Sequence, residues 1–276
     1  MEIARPVGLV LTTALLTSAP FLAGSAAAVT FSDGTFVNSD WAATKDFDST
    51  PSSNATFAAY QVLTGGNPGA FRETDHVWTG PGGFIVDQFQ VVTVYNPAVN
   101  GPVVAINSSF DLKFVGGSAG TSQVGYEVIL RQNGSVYFSP RSLAVALGPG
   151  NGLPGPWLSF GSFGLTAADF KLLVGPGPAT PDFSSAGAPI QFGYLTTNGS
   201  DHGGIESTKS GIDNWSLTVV TVAMVLPQCA GPWKNHGQFV SAVAMAAEGL
   251  QRAGIITEAE KDLIVEQAAQ SSCGKQ

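Results

Sequence analysis

The sequence has few charged residues, two cysteines and one long apolar run. Charged residues make up 12% of its 276 residues, and the formal net charge is −8. Affinity for nucleic acid or for an anionic membrane surface is built from lysine and arginine contacts, so we expect neither as a partner. Beyond the N-terminus, the longest apolar stretch lies near 219–226, far short of the ~20 residues of a membrane helix. We therefore also expect no membrane span.

The usual signatures of hydrolases are missing as well. The three histidines, His76, His202 and His236, are scattered along the chain, and there is no Gly-x-Ser-x-Gly nucleophile elbow. The sequence also lacks a Glu-x-Asp-x-x-Glu run, which would supply both carboxylates of a sandwich glycosidase. Glu73 and Asp75 come nearest to such a pair. These absences favour a non-catalytic protein.

Residues 1–28 have the pattern of a secretory signal. Arg5 gives a positive start, an apolar segment follows over 7–23, and residues 26–28 are three alanines. We expect cleavage between Ala28 and Val29 and a mature protein that is secreted or extracytoplasmic. The alternative is an uncleaved N-terminal anchor.

Residues 29–222 have the period of β-strands. The segments in which apolar and polar residues alternate are 84–95, 109–115, 124–130 and 215–220. Such alternation is typical of half-buried antiparallel strands. Asn133 and Gly134 predict a tight hairpin because both tolerate positive φ, and Thr166 with Asp169 predicts a capped helical turn. Many short strands with glycine- and proline-rich turns predict a mainly β, antiparallel two-sheet jelly-roll sandwich.

The pattern becomes helical in the C-terminal segment, 229–276, after a linker over 223–228. Apolar residues recur at helical spacing over 237–252, at Phe239, Val243, Ala247 and Leu250. Thr257 and Glu260 form the capping box of a second helix. A short connection between the two helices predicts an antiparallel α-hairpin.

The two cysteines, Cys229 and Cys273, lie just outside these helices, where an antiparallel hairpin brings the chain ends together. An even pair in an exported protein is most simply a disulfide. Metal binding is the alternative, but two cysteines without a CxxC spacing make a poor zinc site.

Several segments resemble known families. Residues 65–72 (GGNPGAFR) resemble the Gly-Asn-Pro-Gly-aromatic turn of bacterial laminin-B-like and carbohydrate-binding-module-like jelly rolls. Residues 157–160 (WLSF) with 165–170 (LTAADF) are similar to a block of the laminin-B group, and 211–217 (GIDNWSL) to the final strand of many such sandwiches. Residues 231–240 (GPWKNHGQFV) resemble a recurrent cysteine-flanked "WKNHG" helical tail of exported bacterial proteins.

The resemblance implies an exported module that binds polysaccharide or an extracellular matrix component without catalysis. The predicted ligand contacts are Arg72, Glu73, His76 and Trp78. Aromatic rings that could stack on a sugar are Trp41, Trp78, Tyr95, Trp157 and Tyr194. Trp215 alternates with Leu217 and Val219, so we expect it in the core.

The resemblance also implies a structural calcium ion between the first and last strands, with Asp33 and Asp213 as oxygen ligands. The alternative is that Asp213 and Asn214 only begin the last strand through bonds from side chain to backbone.

Two other functions stay open. One is a carbohydrate-active enzyme, a glycosidase or lyase, with an unfamiliar site around Arg72, Glu73, Asp75 and His76. The other is a structural protein of the envelope or of a biofilm, with no small ligand.

Overall fold

The computed structural model describes residues 28–275 as two packed antiparallel sheets followed by helices. Sheet A contains β1 (Val29–Asp33), β3 (Thr56–Gly66), β4 (Gly69–Thr79), β6 (Val103–Gly117), β10 (Leu158–Leu165) and β13 (Ile205–Thr221). Sheet B contains β2 (Trp41–Asp48), β5 (Gly82–Gln90), β7 (Gln123–Gln132), β8 (Ser135–Phe138), β9 (Ala144–Leu147), β11 (Lys171–Val174) and β12 (Ile190–Ser200). The predicted two-sheet β-sandwich with a disulfide-closed helical tail is confirmed. The predicted signal segment lies outside the described residues, apart from Ala28.

The strand order places the last strand inside sheet A. That sheet runs β10-β6-β13-β4-β3, with β1 also paired to β13. Sheet B runs β11-β8-β7-β12-β5-β2, with β9 also paired to β7. Strand β13 therefore bonds to three neighbours that come from three different parts of the chain.

The core lies between the sheets because alternate residues of each strand point inward. Trp215, predicted to be a core residue, is 1% exposed. Its ring meets that of Trp41 edge-on, with 5.2 Å between centroids, and Trp41 in turn packs against Tyr194 of sheet B. These rings join the two sheets.

The turns predicted from local sequence signals are present in the structure, whereas one predicted strand is too long. Asn133 and Gly134 have φ values of 48° and 77° and connect β7 to β8. Thr166 and Asp169 form the predicted capping box around a 3₁₀ turn. The strand predicted over 84–95 ends at Gln90, which pairs with Trp41, the first residue of β2.

The helices are α1 (Pro97–Asn100), α2 (Val222–Val225), α3 (His236–Arg252) and α4 (Glu258–Gln270). The α3 face predicted from spacing is buried, and Thr257 with Glu260 forms the capping box of α4. Cys229 and Cys273 form the predicted disulfide, with 4.9 Å between their Cα atoms. Within residues 28–275, no helix is long and apolar enough to cross a membrane.

The helical tail packs against the sandwich. Val222 and Leu226, which follow β13, share an apolar cluster with the buried face of α3 and α4, and Val104 of β6 packs against it. The tail is therefore attached to one end of the sandwich by apolar contacts.

Candidate functional site

Strand β4 carries all four predicted ligand contacts, but they do not share a face. Arg72, His76 and Trp78 point between the sheets and are 2%, 0% and 1% exposed. Glu73 points to the outer face of sheet A, as does Asp75, because side chains alternate along a strand. A ligand on the outer surface therefore cannot reach Arg72, His76 or Trp78, and it can meet little of Glu73, which is 7% exposed.

The three inward residues have partners inside the sandwich. Arg72 Nε donates to Gln88 Oε1 at 2.6 Å, and His76 Nε2 lies 3.0 Å from Thr196 Oγ1. Burial lowers the pKa of His76 to about 3, so the ring stays neutral. A catalytic site that combines these groups with Glu73 and Asp75 cannot form on one face of the sheet.

On the outer face of sheet A, four polar side chains form a connected set, here called the outer cluster: Tyr60, Glu73, Asp75 and Lys209. The Tyr60 hydroxyl donates to Glu73 Oε1 at 2.7 Å and lies 3.3 Å from both oxygens of Asp75. Lys209 Nζ lies 2.9 Å from Asp75 Oδ2 and 3.5 Å from Glu73 Oε1. Strand pairing sets this arrangement, since Tyr60 is opposite Glu73 and Asp75 is opposite Lys209.

The electrostatics of the outer cluster keep the Tyr60 hydroxyl protonated and the Lys209 ammonium charged. Burial, followed by the hydrogen bond to Glu73, raises the pKa of Tyr60 to about 12. The hydrogen bond to Asp75 is the largest cause of the raised pKa of Lys209, so the ammonium stays charged. The cluster therefore presents carboxylate acceptors beside ammonium and phenol donors.

Trp157 lies beside the outer cluster on the same face. Its ring meets Phe71 edge-on at 5.4 Å between centroids, and its indole N–H donates to the Gly65 carbonyl at 3.1 Å. Gly211 lies beneath both rings, because a Cβ added there would come within 2.7 Å of Phe71 and 3.1 Å of Trp157. The lack of a side chain at Gly211 makes room for both rings over the sheet.

Of the five aromatic residues considered for a sugar platform, only Trp157 is exposed in part. The other four, Trp41, Trp78, Tyr95 and Tyr194, are at most 5% exposed and belong to the interior. Trp157 and the outer cluster together are the candidate site. The sequence pointed to Glu73, Asp75 and Trp157 separately, but nothing near Tyr60 or Lys209 signalled a role for either.

The segments that carried the family resemblance are in contact with one another. In the GGNPG turn, the Asn67 N–H donates to Asp213, and Asn214 Nδ2 donates to the Asn67 carbonyl at 2.6 Å. Asn214 Nδ2 also donates to Asp111 Oδ2 at 2.7 Å. Asp213 and Asn214 therefore hold the turn between β3 and β4 in place. Gly65, next to that turn, accepts the hydrogen bond from the indole of Trp157.

Asp33 and Asp213, the predicted calcium ligands, already have protein donors. Asp33 Oδ1 accepts from Thr35 and Phe36, and its Oδ2 accepts from the Trp41 indole at 2.8 Å. Burial alone would raise the pKa of Asp33, but these bonds hold it below its usual value. Within the described residues, no group of three His, Cys, Asp or Glu side chains is arranged to hold a metal ion. These residues do not fit the six to eight oxygens that Ca²⁺ takes.

We therefore expect the melting midpoint to be the same with calcium and with a chelator. The measurement is thermal unfolding followed by circular dichroism in each buffer. A midpoint that falls on chelation, and is restored by Ca²⁺ but not by Mg²⁺, would show that Asp33 and Asp213 take part in a calcium site as the sequence predicts.

The "WKNHG" segment of the tail has structural contacts. Asn235 caps α3 by accepting from the Gln238 N–H at 2.9 Å. The ring nitrogens of His236 lie 2.8 Å from the Cys273 carbonyl and 3.0 Å from the Ala269 carbonyl. This segment therefore joins the start of α3 to the end of α4, next to the disulfide.

The outer face of sheet B contains two acids that the sequence analysis did not single out. Asp87 and Glu127 flank Leu195 in adjacent strands. Asp87 is 0% exposed, and neither of its carboxyl oxygens has a hydrogen-bond partner at normal distance. Burial, followed by the neighbouring Asp46 carboxyl, raises the pKa of Asp87 to about 9, and burial raises that of Glu127 to about 7. These acids affect stability more than surface recognition.

No family model matches the sequence, and no curated protein matches it. Solved structures with a similar fold include the family 11 carbohydrate-binding module from Clostridium thermocellum in complex with a β-1,3-1,4-mixed-linked tetrasaccharide. It is 12% identical, with a TM-score of 0.40, and the match covers 70% of this chain and 95% of that one. The module TmCBM27, described for mannan recognition, is 10% identical, with a TM-score of 0.37 over 70% and 99%. An exo-β-agarase is 14% identical, with a TM-score of 0.35 over 81% and 31%.

Proposed function

We propose that this chain is an exported, non-catalytic module that binds polysaccharide on the outer face of sheet A. The observation that carries the proposal is that a partly exposed indole and a connected set of donors and acceptors lie side by side on one solvent-facing surface. The signal-like N-terminus and the Cys229–Cys273 disulfide support a secreted or extracytoplasmic location, where disulfides persist.

The chemistry of the candidate site suits a sugar ring. The apolar face of a pyranose can stack on the ring of Trp157, as other apolar surfaces do on aromatic rings. Hydroxyl groups at the edge of the sugar can donate to Asp75 and accept from Lys209, whose side chains are 24% and 49% exposed. Bonds in which one partner is ionised are about twice as strong as neutral ones, which favours a hydroxyl-rich ligand.

The bonding within the outer cluster favours binding over catalysis. A glycosidase needs one protonated acid and one carboxylate on either side of the scissile bond. Here Glu73 and Asp75 lie on the same strand, and both contact the one ammonium of Lys209. Both acids therefore lie on the same side of any ligand, whereas a glycosidase places its two acids on opposite sides of the bond.

A Trp157→Ala variant should bind its glycan at least about tenfold more weakly, a loss of about 1.4 kcal/mol. The reason is that the variant removes the partly exposed indole on which the sugar ring is proposed to stack. Ligands are first identified with wild-type protein on a glycan array, and dissociation constants are then measured by calorimetry. Phe47→Ala is the matched control, because Phe47 is 49% exposed but belongs to sheet B.

The same samples decide between binding and turnover. Reducing-sugar and unsaturated-product assays should show no product with any ligand that binds. Product formation that a Glu73→Gln variant abolishes would overturn the proposal in favour of an enzyme. No retention of any glycan by the wild type would overturn it in favour of a structural protein.

A further inference from the structure

Lys113 is a cation beside Trp157 that has no ionic partner. It lies on β6, opposite Gly211, and its ammonium is 5.8 Å from the centroid of the Trp157 ring. In the part of the chain that the structure describes, no carboxylate lies within ion-pair distance of Lys113, whereas Lys209 contacts both Glu73 and Asp75. Lys113 is therefore free to pair with a ligand.

The nearby carboxylate of Asp111 does not compete for Lys113. Asp111 is 8% exposed and precedes Lys113 by two residues on the same face of β6. Its Oδ2 accepts from Asn67 Nδ2 at 3.2 Å and from Asn214 Nδ2 at 2.7 Å. These bonds hold Asp111 on the GGNPG turn and away from the lysine.

We propose that the candidate site prefers an acidic sugar, a uronate, whose carboxylate pairs with Lys113 while its ring stacks on Trp157. The inference rests on the proposed function and adds the class of ligand. The outer cluster holds two carboxylates and one ammonium, which makes its net charge negative. The acidic group of the ligand is therefore directed away from Glu73 and Asp75, toward Lys113.

The position of Lys113 explains why a charged sugar is favoured over a neutral one. At 5.8 Å from the ring centroid, the ammonium occupies part of the space over the ring that a stacked sugar needs. Its displacement removes the cation–π contact between the ammonium and the ring. A carboxylate on the sugar gives the displaced ammonium a new partner, whereas a neutral sugar does not.

The test compares uronate oligosaccharides with the same oligosaccharides after chemical reduction of their carboxyl groups. The probes are oligomers of galacturonate, mannuronate and glucuronate, and binding is measured by calorimetry at low and at moderate salt. We expect the wild type to bind at least one uronate about tenfold more tightly than its reduced counterpart. We also expect the preference to shrink as salt is added, because the pair is near the surface.

Two variants assign the preference to Lys113. Lys113→Gln should bind both forms equally, whereas Lys171→Gln should keep the wild-type preference, because Lys171 is exposed on β11 of the other sheet. Unfolding of Lys113→Gln at the wild-type midpoint serves as the folding control. A preference that persists in folded Lys113→Gln overturns the inference.

The two proposals can fail separately. If the wild type binds neutral and acidic forms alike, or neutral glycans alone, the uronate inference is wrong and the binding function stands. If it retains no glycan of either kind, both proposals are wrong.

Discussion

An Asp87→Asn variant should be more stable than the wild type at pH 8, by several kcal/mol, and equally stable near pH 4. The pKa of Asp87 is about 9 in the folded protein, against 3.8 as its ordinary value. Between these values the folded protein binds a proton that the unfolded chain does not, so the free energy of unfolding falls as pH rises through this window. Asparagine has no such proton to lose. Urea unfolding at several pH values measures the difference.

Asp46→Asn is the matched control for Asp87→Asn. The Asp46 carboxyl is a smaller cause of the raised pKa than burial, so its replacement should remove only part of the pH dependence. His76, with a folded pKa of about 3, lowers the free energy of unfolding as pH falls below 6.5, but equally in all three proteins. An Asp87→Asn variant that is less stable than the wild type across the whole pH range would contradict the prediction.

A Cys229→Ser, Cys273→Ser double variant should lose about 4 kcal/mol from the stability of the helical tail. The disulfide closes a loop with a sequence separation of 44 residues, and opening it increases the conformational freedom of the unfolded tail. The tail helices are short and bury little apolar surface of their own. We therefore expect the lost free energy to exceed the stability that the helices have without the disulfide. Hydrogen exchange of the backbone amides of α3 and α4 measures this loss of stability directly.

The sandwich serves as the internal control in the same experiment. Its core, which includes Trp41 and Trp215, is separate from the apolar cluster of the tail, so strand amides of sheet B should keep their wild-type protection. Wild-type protein treated with a reductant should behave as the double variant does. Equal loss of protection in α3 and in sheet B would show that tail and sandwich unfold as one unit, and would contradict the prediction.

The tail could be predicted almost residue by residue because its signals are local. Thr257 and Glu260 cap the helix in which they occur, and the buried face of α3 follows from spacing within one segment. The end of β5 at Gln90 could not be predicted in this way, because that residue pairs with the start of β2, about fifty residues earlier. Alternation of apolar and polar residues shows that a segment is a strand, but it does not show how far the neighbouring strands extend.

The candidate site was harder to predict because its members come from distant strands. Period two places Arg72, His76 and Trp78 on one side of β4 and Glu73 on the other, but only the second sheet decides which side is buried. Lys209 meets Asp75 across 134 residues of sequence, and no local pattern marks that contact. The GGNPG and Asp-Asn segments were each recognisable, yet their contact appears only when β13 is placed beside β4 and β6.

The position of β13 sets an order for folding. Of the strands in sheet A, β13 is the last to be synthesised, and it forms hydrogen bonds with β1, β4 and β6. Until it arrives, β4 and β6 have no common neighbour, and the turn at Asn67 lacks the Asp213 and Asn214 that hold it. Because such long-range pairing is slow, we expect sheet A to complete its pairing only after β13 has been synthesised, whereas every strand of sheet B is already present by then.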